Sequence, residues 1–409
     1  MNEHIAPDSN KGLIYLMAIT ISAKFLLDTS VQIFSPFITI IAKGLGISII
    51  TMGQLISLRS LIGLIAPIFG TLADKVGHKI IMRLGLFLSG IGLLFIATGY
   101  HISIIILGMI IVGIGGSIYI PNLQAYLGMR LPHNQRARMI GIVEYSWALS
   151  GIIGVFLAGL LIAASNWQMP LIVLGIGLLI AGFISATLPR DISHISPSVS
   201  DSHLPKQNYW SHICAFFDLG NNAKSAWAAI TANGLNFFAM VHIIIIYGGW
   251  LEMEYGLEAY QLGTVALIIG LFDWGASIIF SIIGDKFGRK QSVLFGVVGT
   301  VISYLLFPFL NLSLKLAVVS LVLIRFCFEF AILSNIILVL EQVPEQQGKI
   351  LSLNMAGALI GITIAGFTGP WAYLSYGVWG LGPVSLIAAL LSLGVLISIV
   401  QVPYPTTAV

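Results

Sequence analysis

Apolar residues in this chain come in long unbroken blocks, with polar residues collected between them. Twelve blocks run near residues 12–41, 49–72, 80–99, 103–128, 139–164, 168–188, 223–249, 260–283, 291–310, 314–340, 350–374 and 379–402. A helix needs about 20 apolar residues to cross a hydrocarbon core of roughly 30 Å. Backbone amides in lipid must bond within their own segment, so each block predicts a transmembrane helix. The longest polar stretch, PRDISHISPSVSDSHLPKQNYW at 189–210, is rich in Ser, Pro and His. It predicts a linker over 189–222 between a six-helix bundle at 1–188 and a second at 223–409. The stretch after it, SHICAFFDLGNNAK, predicts a short helix lying on the membrane surface. The fold class expected is all-α integral membrane, with twelve transmembrane helices in two pseudo-symmetric bundles.

Composition supports lipid as the main surrounding. Hydrophobic residues make up 57% of the 409 positions and charged residues only 9%. A water-facing domain carries about 25% charged residues. Nineteen Lys and Arg against sixteen acids give no basic excess for nucleic acid. The first block is too long for a signal-peptide core and is followed by no small-residue cleavage site, so it reads as a retained span. Cys214 and Cys327 fall in a polar loop and an apolar block, which predicts no disulfide. Basic residues then set orientation. With the N-terminus inside, the inner loops and ends hold Lys11, Lys75, Lys79, Arg83, Arg130, Arg136, Arg138, Arg190, Lys206, Lys224, Lys286, Arg289, Lys290 and Lys349. The outer loops hold only Lys43 and Lys315. Both termini and the linker are therefore expected in the cytoplasm, with the chain in a plasma (inner) membrane.

The chain also repeats. Asp74, Lys75, Gly77 and Lys79 recur 211 positions later as Asp285, Lys286, Gly288 and Lys290, and Pro132 recurs at Pro344. GTLADKVGHK at 70–79 and SIIGDKFGRK at 281–290 fall between blocks two and three and between blocks eight and nine. The first resembles the loop signature of the major facilitator superfamily, G-x-L-A-D-R/K-x-G-R/K-R/K, and the second resembles that family's second copy. The resemblance covers essentially the whole chain. It implies two six-helix halves with a solute site between them. It also implies that Gly70, Asp74, Lys75, Gly77, Lys79, Asp285, Gly288 and Arg289 form gating loops, with His78 where an Arg is usual. Block five resembles the antiporter pattern G-x8-G-x3-G-P-x2-G-G through Gly141, Ser150, Gly154, Val155, Ala158 and Gly159. Small residues stand at five of the six positions, and Val155 replaces the Pro. The nearest subgroup in style is the drug:proton antiporters. Their fourth helix has an Arg where this chain has Met109.

Ionisable residues inside spans are costly and tend to be functional. Lys24 and Asp28 share a helix face, as do Arg325 and Glu329, each four apart. Asp28, Glu329, Asp273 and Glu144 are the proton-coupling candidates. Lys24, Arg59 and Arg325 are expected in the solute cavity, together with Asn122, Asn233, Asn236, Tyr119, Phe237 and Trp274. The bland reading is two intrahelical ion pairs, packing aromatics and interhelical amide bonds. His242 reads as a packing residue, and Glu252, Glu254 and Glu258 as a solvated loop. Pro36, Pro67, Pro121 and Pro370 are expected to break or kink helices. No H-E-x-x-H, G-x-S-x-G or metal-spaced His pair occurs, so neither an enzyme, a metal site nor a cofactor is expected. The function expected is secondary transport of a small-molecule substrate by a monomer, as proton-coupled export. Import of an organic metabolite and a non-transporting membrane sensor stand as alternatives.

Overall fold

The computed structural model describes residues 10–65, 72–73, 76–131, 133–189, 217–283 and 288–401. Among these the regular structure is helical throughout. Eleven helical stretches are long and apolar enough to cross a membrane, and the pair Ile38–Leu45 and Ile49–Ile65, bent by 105°, meets the test jointly. Twelve apolar blocks thus become eleven or twelve spans in an all-α membrane protein.

Contacts divide the chain into two compact units, Met1–Ile192 with Ile245–Leu271, and Ser193–Ile244 with Phe272–Val409. The first holds α1 (Asn10–Gln32), α2 (Ile38–Leu45), α3 (Ile49–Ile62), α4 (His78–Thr98), α5 (Ile102–Arg130), α6 (His133–Leu149), α7 (Val155–Ala164) and α8 (Gln168–Ile184). The second begins with α9 (Ala223–Ile244). α10 (Tyr247–Tyr255) then joins the first unit, and α11 (Ala259–Ile283) passes from the first unit to the second at residue 272. The second unit is completed by α12 (Arg289–Leu306), α13 (Leu314–Gln342), α14 (Gln347–Tyr376) and α15 (Val378–Ser398).

Two blocks differ from expectation. The first, 12–41, is not one helix: α1 stops at Gln32, and residues 33–37 turn before α2 begins. Pro36 has no N–H and its ring crowds the preceding turn, which favours a break there; Pro121 and Pro370, expected to break or kink helices, do not break them, since α5 and α14 continue through both. Gly46 then closes α2 in the left-handed region at φ 66°, and the Ser48 hydroxyl accepts the Thr51 amide to start α3. The block at 223–249 likewise breaks after Ile244, and α10 carries the helix on to Tyr255. Gly248, inside α10, allows this helix to approach Pro36 closely, because a Cβ there would strike the Pro36 backbone.

Small residues set the packing inside each unit, since lipid supplies no hydrophobic drive between helices. A Cβ on Gly92 of α4 would lie 2.7 Å from the Gly108 oxygen of α5, and one on Gly90 would lie 2.8 Å from the Gly175 oxygen of α8. In the second unit, Gly234 of α9 stands in the same relation to Gly357 of α14, at 2.8 Å. Segment 245–271 is seated in the first unit the same way, with a Cβ on Gly159 lying 2.7 Å from the Ala259 oxygen.

The sequence repeat has a structural counterpart. Gly77 and Gly288, 211 apart, precede α4 and α12 with φ 100° and ψ 137°, and φ 77° and ψ 148°. Lys79 donates to the carbonyl of Ala186 at 2.8 Å and to that of Leu188. Lys290 donates to the carbonyls of Ile397 at 3.4 Å and Val400 at 2.5 Å. Lys79 thus closes the open carbonyl end of α8, and Lys290 that of α15.

Candidate functional site

In the first unit, α1 and α6 bring together a cluster that is sealed on the α1 side and open at one carboxylate. Lys24 Nζ lies 2.9 Å from Asp28 Oδ2, 3.1 Å from Glu144 Oε2 and 3.2 Å from Ser146 Oγ. The Ser146 hydroxyl donates to Asp28 Oδ2 at 2.8 Å. The Lys24 and Asp28 side chains are 3% and 1% exposed, while Glu144 is 44% exposed. Glu144 is therefore the member that opens to the surroundings, and Gln124 Nε2 donates to its other oxygen at 3.1 Å. One ammonium thus faces two carboxylates, one sealed and one accessible.

A similar set forms in the second unit. Arg325 of α13 donates through Nε at 3.1 Å, and through its terminal nitrogen, to Asp273 Oδ2 of α11. Asp273 Oδ1 is buried without a partner. Glu329 Oε1 accepts from the Ser277 hydroxyl at 3.3 Å. Met240 Sδ lies 3.4 Å from Arg325, and Phe237 meets Phe328 edge-on with ring centroids 5.1 Å apart. Of the two intrahelical ion pairs of the bland reading, Lys24 with Asp28 is formed, while Arg325 bonds a carboxylate of another helix. The guanidinium fork reaches across to Asp273, and Glu329 turns to Ser277 one helix away. Here the cation engages Asp273, and Glu329 stands one turn along α13 from it with a serine hydroxyl as its donor.

Arg59 of α3 has no carboxylate at ion-pair distance among the described residues. Its guanidinium contacts the Val31 carbonyl at 3.4 Å and stands 5.2 Å from the Phe34 ring centroid.

The remaining candidates separate by environment. Tyr119 is fully buried with its hydroxyl unpartnered. Asn122 donates to Ile118 of its own helix, and its Oδ1 lies 2.8 Å from His78 Nδ1. Asn233 donates to the Asn354 carbonyl, and Asn236 Oδ1 is buried and unpartnered. Trp274, Tyr145 and Trp147 are exposed. His242 is fully buried with its ring 5.4 Å from that of Phe238. Gly70, Asp74, Lys75, Asp285, Cys214, Pro67, Pro132 and most of the linker lie outside the described residues, as does the side chain of Arg289.

Glu252 overturns its expected place in a solvated loop. It sits on α10, where Lys43 of α2 pairs with Oε1 at 2.5 Å and the Thr39 hydroxyl donates to Oε2. Sequence reasoning missed these partners, as well as Ser146 and Ser277. A lone outer lysine beside an acidic cluster was the available signal for Glu252. The serines carried none, because hydroxyls are common in apolar helices. A further unforeseen feature is a π-helical turn at Ser150–Gly154 between α6 and α7. There Gln32 Nε2 donates to the Trp147 carbonyl at 3.0 Å and to Ser150 Oγ at 2.6 Å.

A family model described as Major Facilitator Superfamily matches residues 20–273 and again 227–407. The MFS-type transporter YceJ of Bacillus subtilis is 25% identical over 359 residues, covering 85% of this chain and 87% of the relative. The quinolone resistance protein NorA of Staphylococcus aureus is 27% identical over 168 residues, covering 41% of this chain and 43% of NorA. Among solved structures, a D-xylose-proton symporter superposes with a TM-score of 0.76 at 16% identity, covering 95% of this chain and 98% of that one.

Proposed function

The chain belongs to the major facilitator superfamily, a transporter family, and on that premise we propose that it exports a small solute across the inner membrane in exchange for protons. The observation that carries this reading is the repeated ratio of two carboxylates to one cation in each unit: Asp28 and Glu144 around Lys24, Asp273 and Glu329 beside Arg325. A surplus carboxylate in a low-dielectric interior is poorly tolerated as a bare anion, so it offers a place for a proton. Glu144, half exposed, is the entry point of the first set, and Asp28, sealed behind it, is the holding point. Glu329 plays the corresponding part in the second.

Export is favoured by the NorA likeness and by the small residues of block five. Both termini and the 189–222 linker between the halves at 1–188 and 223–409 are assigned to the cytoplasm by the basic-residue bias. The loop residues Gly70, Asp74, Lys75, Gly77, Lys79, Asp285, Gly288 and Arg289 are assigned to the gate. Alternating access requires these loops to part and rejoin with each cycle.

The test is flux in proteoliposomes carrying an internal pH dye. Solutes that dissipate an imposed pH gradient through the wild type should fail to do so through Asp28→Asn and Glu329→Gln. Solute flux indifferent to the gradient would remove proton coupling, and net uptake down the proton gradient would reverse the direction.

A further inference from the structure

Three basic residues, Lys24, Arg59 and Arg325, lie more than nine positions from either end of their apolar blocks, and two of them are held by carboxylates. Lys24 has Asp28 and Glu144, and Arg325 has Asp273. Arg59 has none among the described residues. It stands ten positions after Ile49, the first residue of α3, which places it about 15 Å along the helix axis and near the middle of a roughly 30 Å core. A guanidinium offers five N–H donors in a planar fork. The contact to the Val31 carbonyl, at 3.4 Å, is too long to be a strong bond. That carbonyl belongs to the last turn of α1, where open carbonyls supply only part of a negative charge. The Phe34 ring adds a weak attraction through its face. Neither neutralises a full charge at this depth.

The root of the side chain is fixed nonetheless. A Cβ on Gly113 of α5 would lie 2.8 Å from the Arg59 carbonyl oxygen, so α3 and α5 meet backbone to backbone there. Asp28, one turn before Val31 on α1, is the nearest carboxylate along that helix, and Lys24 and Ser146 already engage it. The fork is thus anchored at its base and held at its tip by the long Val31 contact and the buried Phe34 ring, with no carboxylate on it among the described residues.

We propose that Arg59 is the anion-binding group of the transport site, so that the solute is a small organic acid whose carboxylate takes the fork in two parallel hydrogen bonds. The proposal rests on the transporter reading and deepens it by naming the substrate class. A guanidinium rather than an ammonium suits this role, because its planar donors match both oxygens of a carboxylate at once. The alternative is that Arg59 only closes the end of α1. That role would make the residue matter for stability but not for the charge of the ligand.

The test uses the full chain purified in detergent without a pH gradient, titrated with 1-naphthoate and with the matched cation 1-naphthylmethylamine, and read by tryptophan fluorescence. Wild type should bind naphthoate saturably. Arg59→Gln should weaken that binding about 10- to 100-fold, the range for removing a charge-assisted bond. Arg59→Lys, which keeps the charge and loses the fork, should fall between them, and neither variant should change the response to the amine. Absence of saturable naphthoate binding by wild type would overturn the proposal. Equal naphthoate affinity in wild type and Arg59→Gln would also overturn it. If Arg59→Gln does not fold, Arg59→Lys decides by the same comparison of acid with amine. Loss of gradient-driven flux with naphthoate binding intact would strike proton coupling and leave this inference standing.

Discussion

Asp28 and its neighbours show how much one buried charge asks of its surroundings. Lys24 and Asp28 are nearly sealed, yet Asp28 Oδ2 accepts from both the ammonium and Ser146, so removing its charge would leave an ammonium dependent on Glu144 alone. Asn at position 28 keeps the size and one acceptor. Asp28→Asn is therefore expected to preserve folding, checked by a monodisperse elution profile, and to abolish pH-driven flux. Retained coupling would take Asp28 out of the proton path. Backbone conformation makes an equally local demand at Gly77 and Gly288. Their combination of positive φ with extended ψ is a region that side-chain-bearing residues avoid. Ala at either position should cost about 1–3 kcal/mol, read as a lowered thermal midpoint in detergent. An unchanged midpoint would mean that these loops relax without strain.

At the level of helices, sequence periodicity told most of the story. Uniform apolar blocks need no amphipathic face to become spans, so length alone located them. Among the described residues, the blocks containing Pro36 and Gly248 misled, because each hides an interruption inside an apolar run. The ion pair of Lys24 and Asp28 was legible because a helix puts neighbours four apart on one face. The partners of Arg325, Glu144 and Glu252 were not, because they come from other helices, 20 to 213 positions away. The lysine caps were equally hidden: a basic residue in a loop signature reads as a topology marker, yet Lys79 and Lys290 each tie down the end of a helix more than a hundred residues on. Each bond is partly exposed, so removal of either lysine should cost about 1 kcal/mol. The two losses should add, since the sites share no partner. Thermal midpoints of Lys79→Ala, Lys290→Ala and the double variant would show this. A double variant no worse than either single one would mean the two ends are linked.

For the molecule as a whole, segment 245–271 is the part whose allegiance matters most. It follows α9 directly in the chain but packs in the first unit, where Lys43 and Thr39 hold Glu252 and the backbones of Gly159 and Gly263 adjoin. A contact made through side-chain ends and glycine faces can separate without exposing a large apolar surface. If passage of solute requires the segment to leave its seat, a disulfide in Lys43→Cys/Glu252→Cys should stop flux, and reduction should restore it. Full flux from fully crosslinked protein would show that the seat is permanent. Position in sequence could not foretell this arrangement, since it assigns 245–271 by chain order, whereas packing assigns it by surface fit.

The widened turn at Ser150–Gly154 carries its own consequence. One surplus residue in a helix advances everything beyond it by about 100° around the axis. Here that offset lets the same rod aim Glu144 and Ser146 at Lys24 near one end and Gly159 at Ala259 near the other. Deleting Ile153, whose side chain points outward, would restore ordinary winding and bring those two alignments into conflict. The shortened protein could satisfy its carboxylate cluster or its glycine seam, but not both.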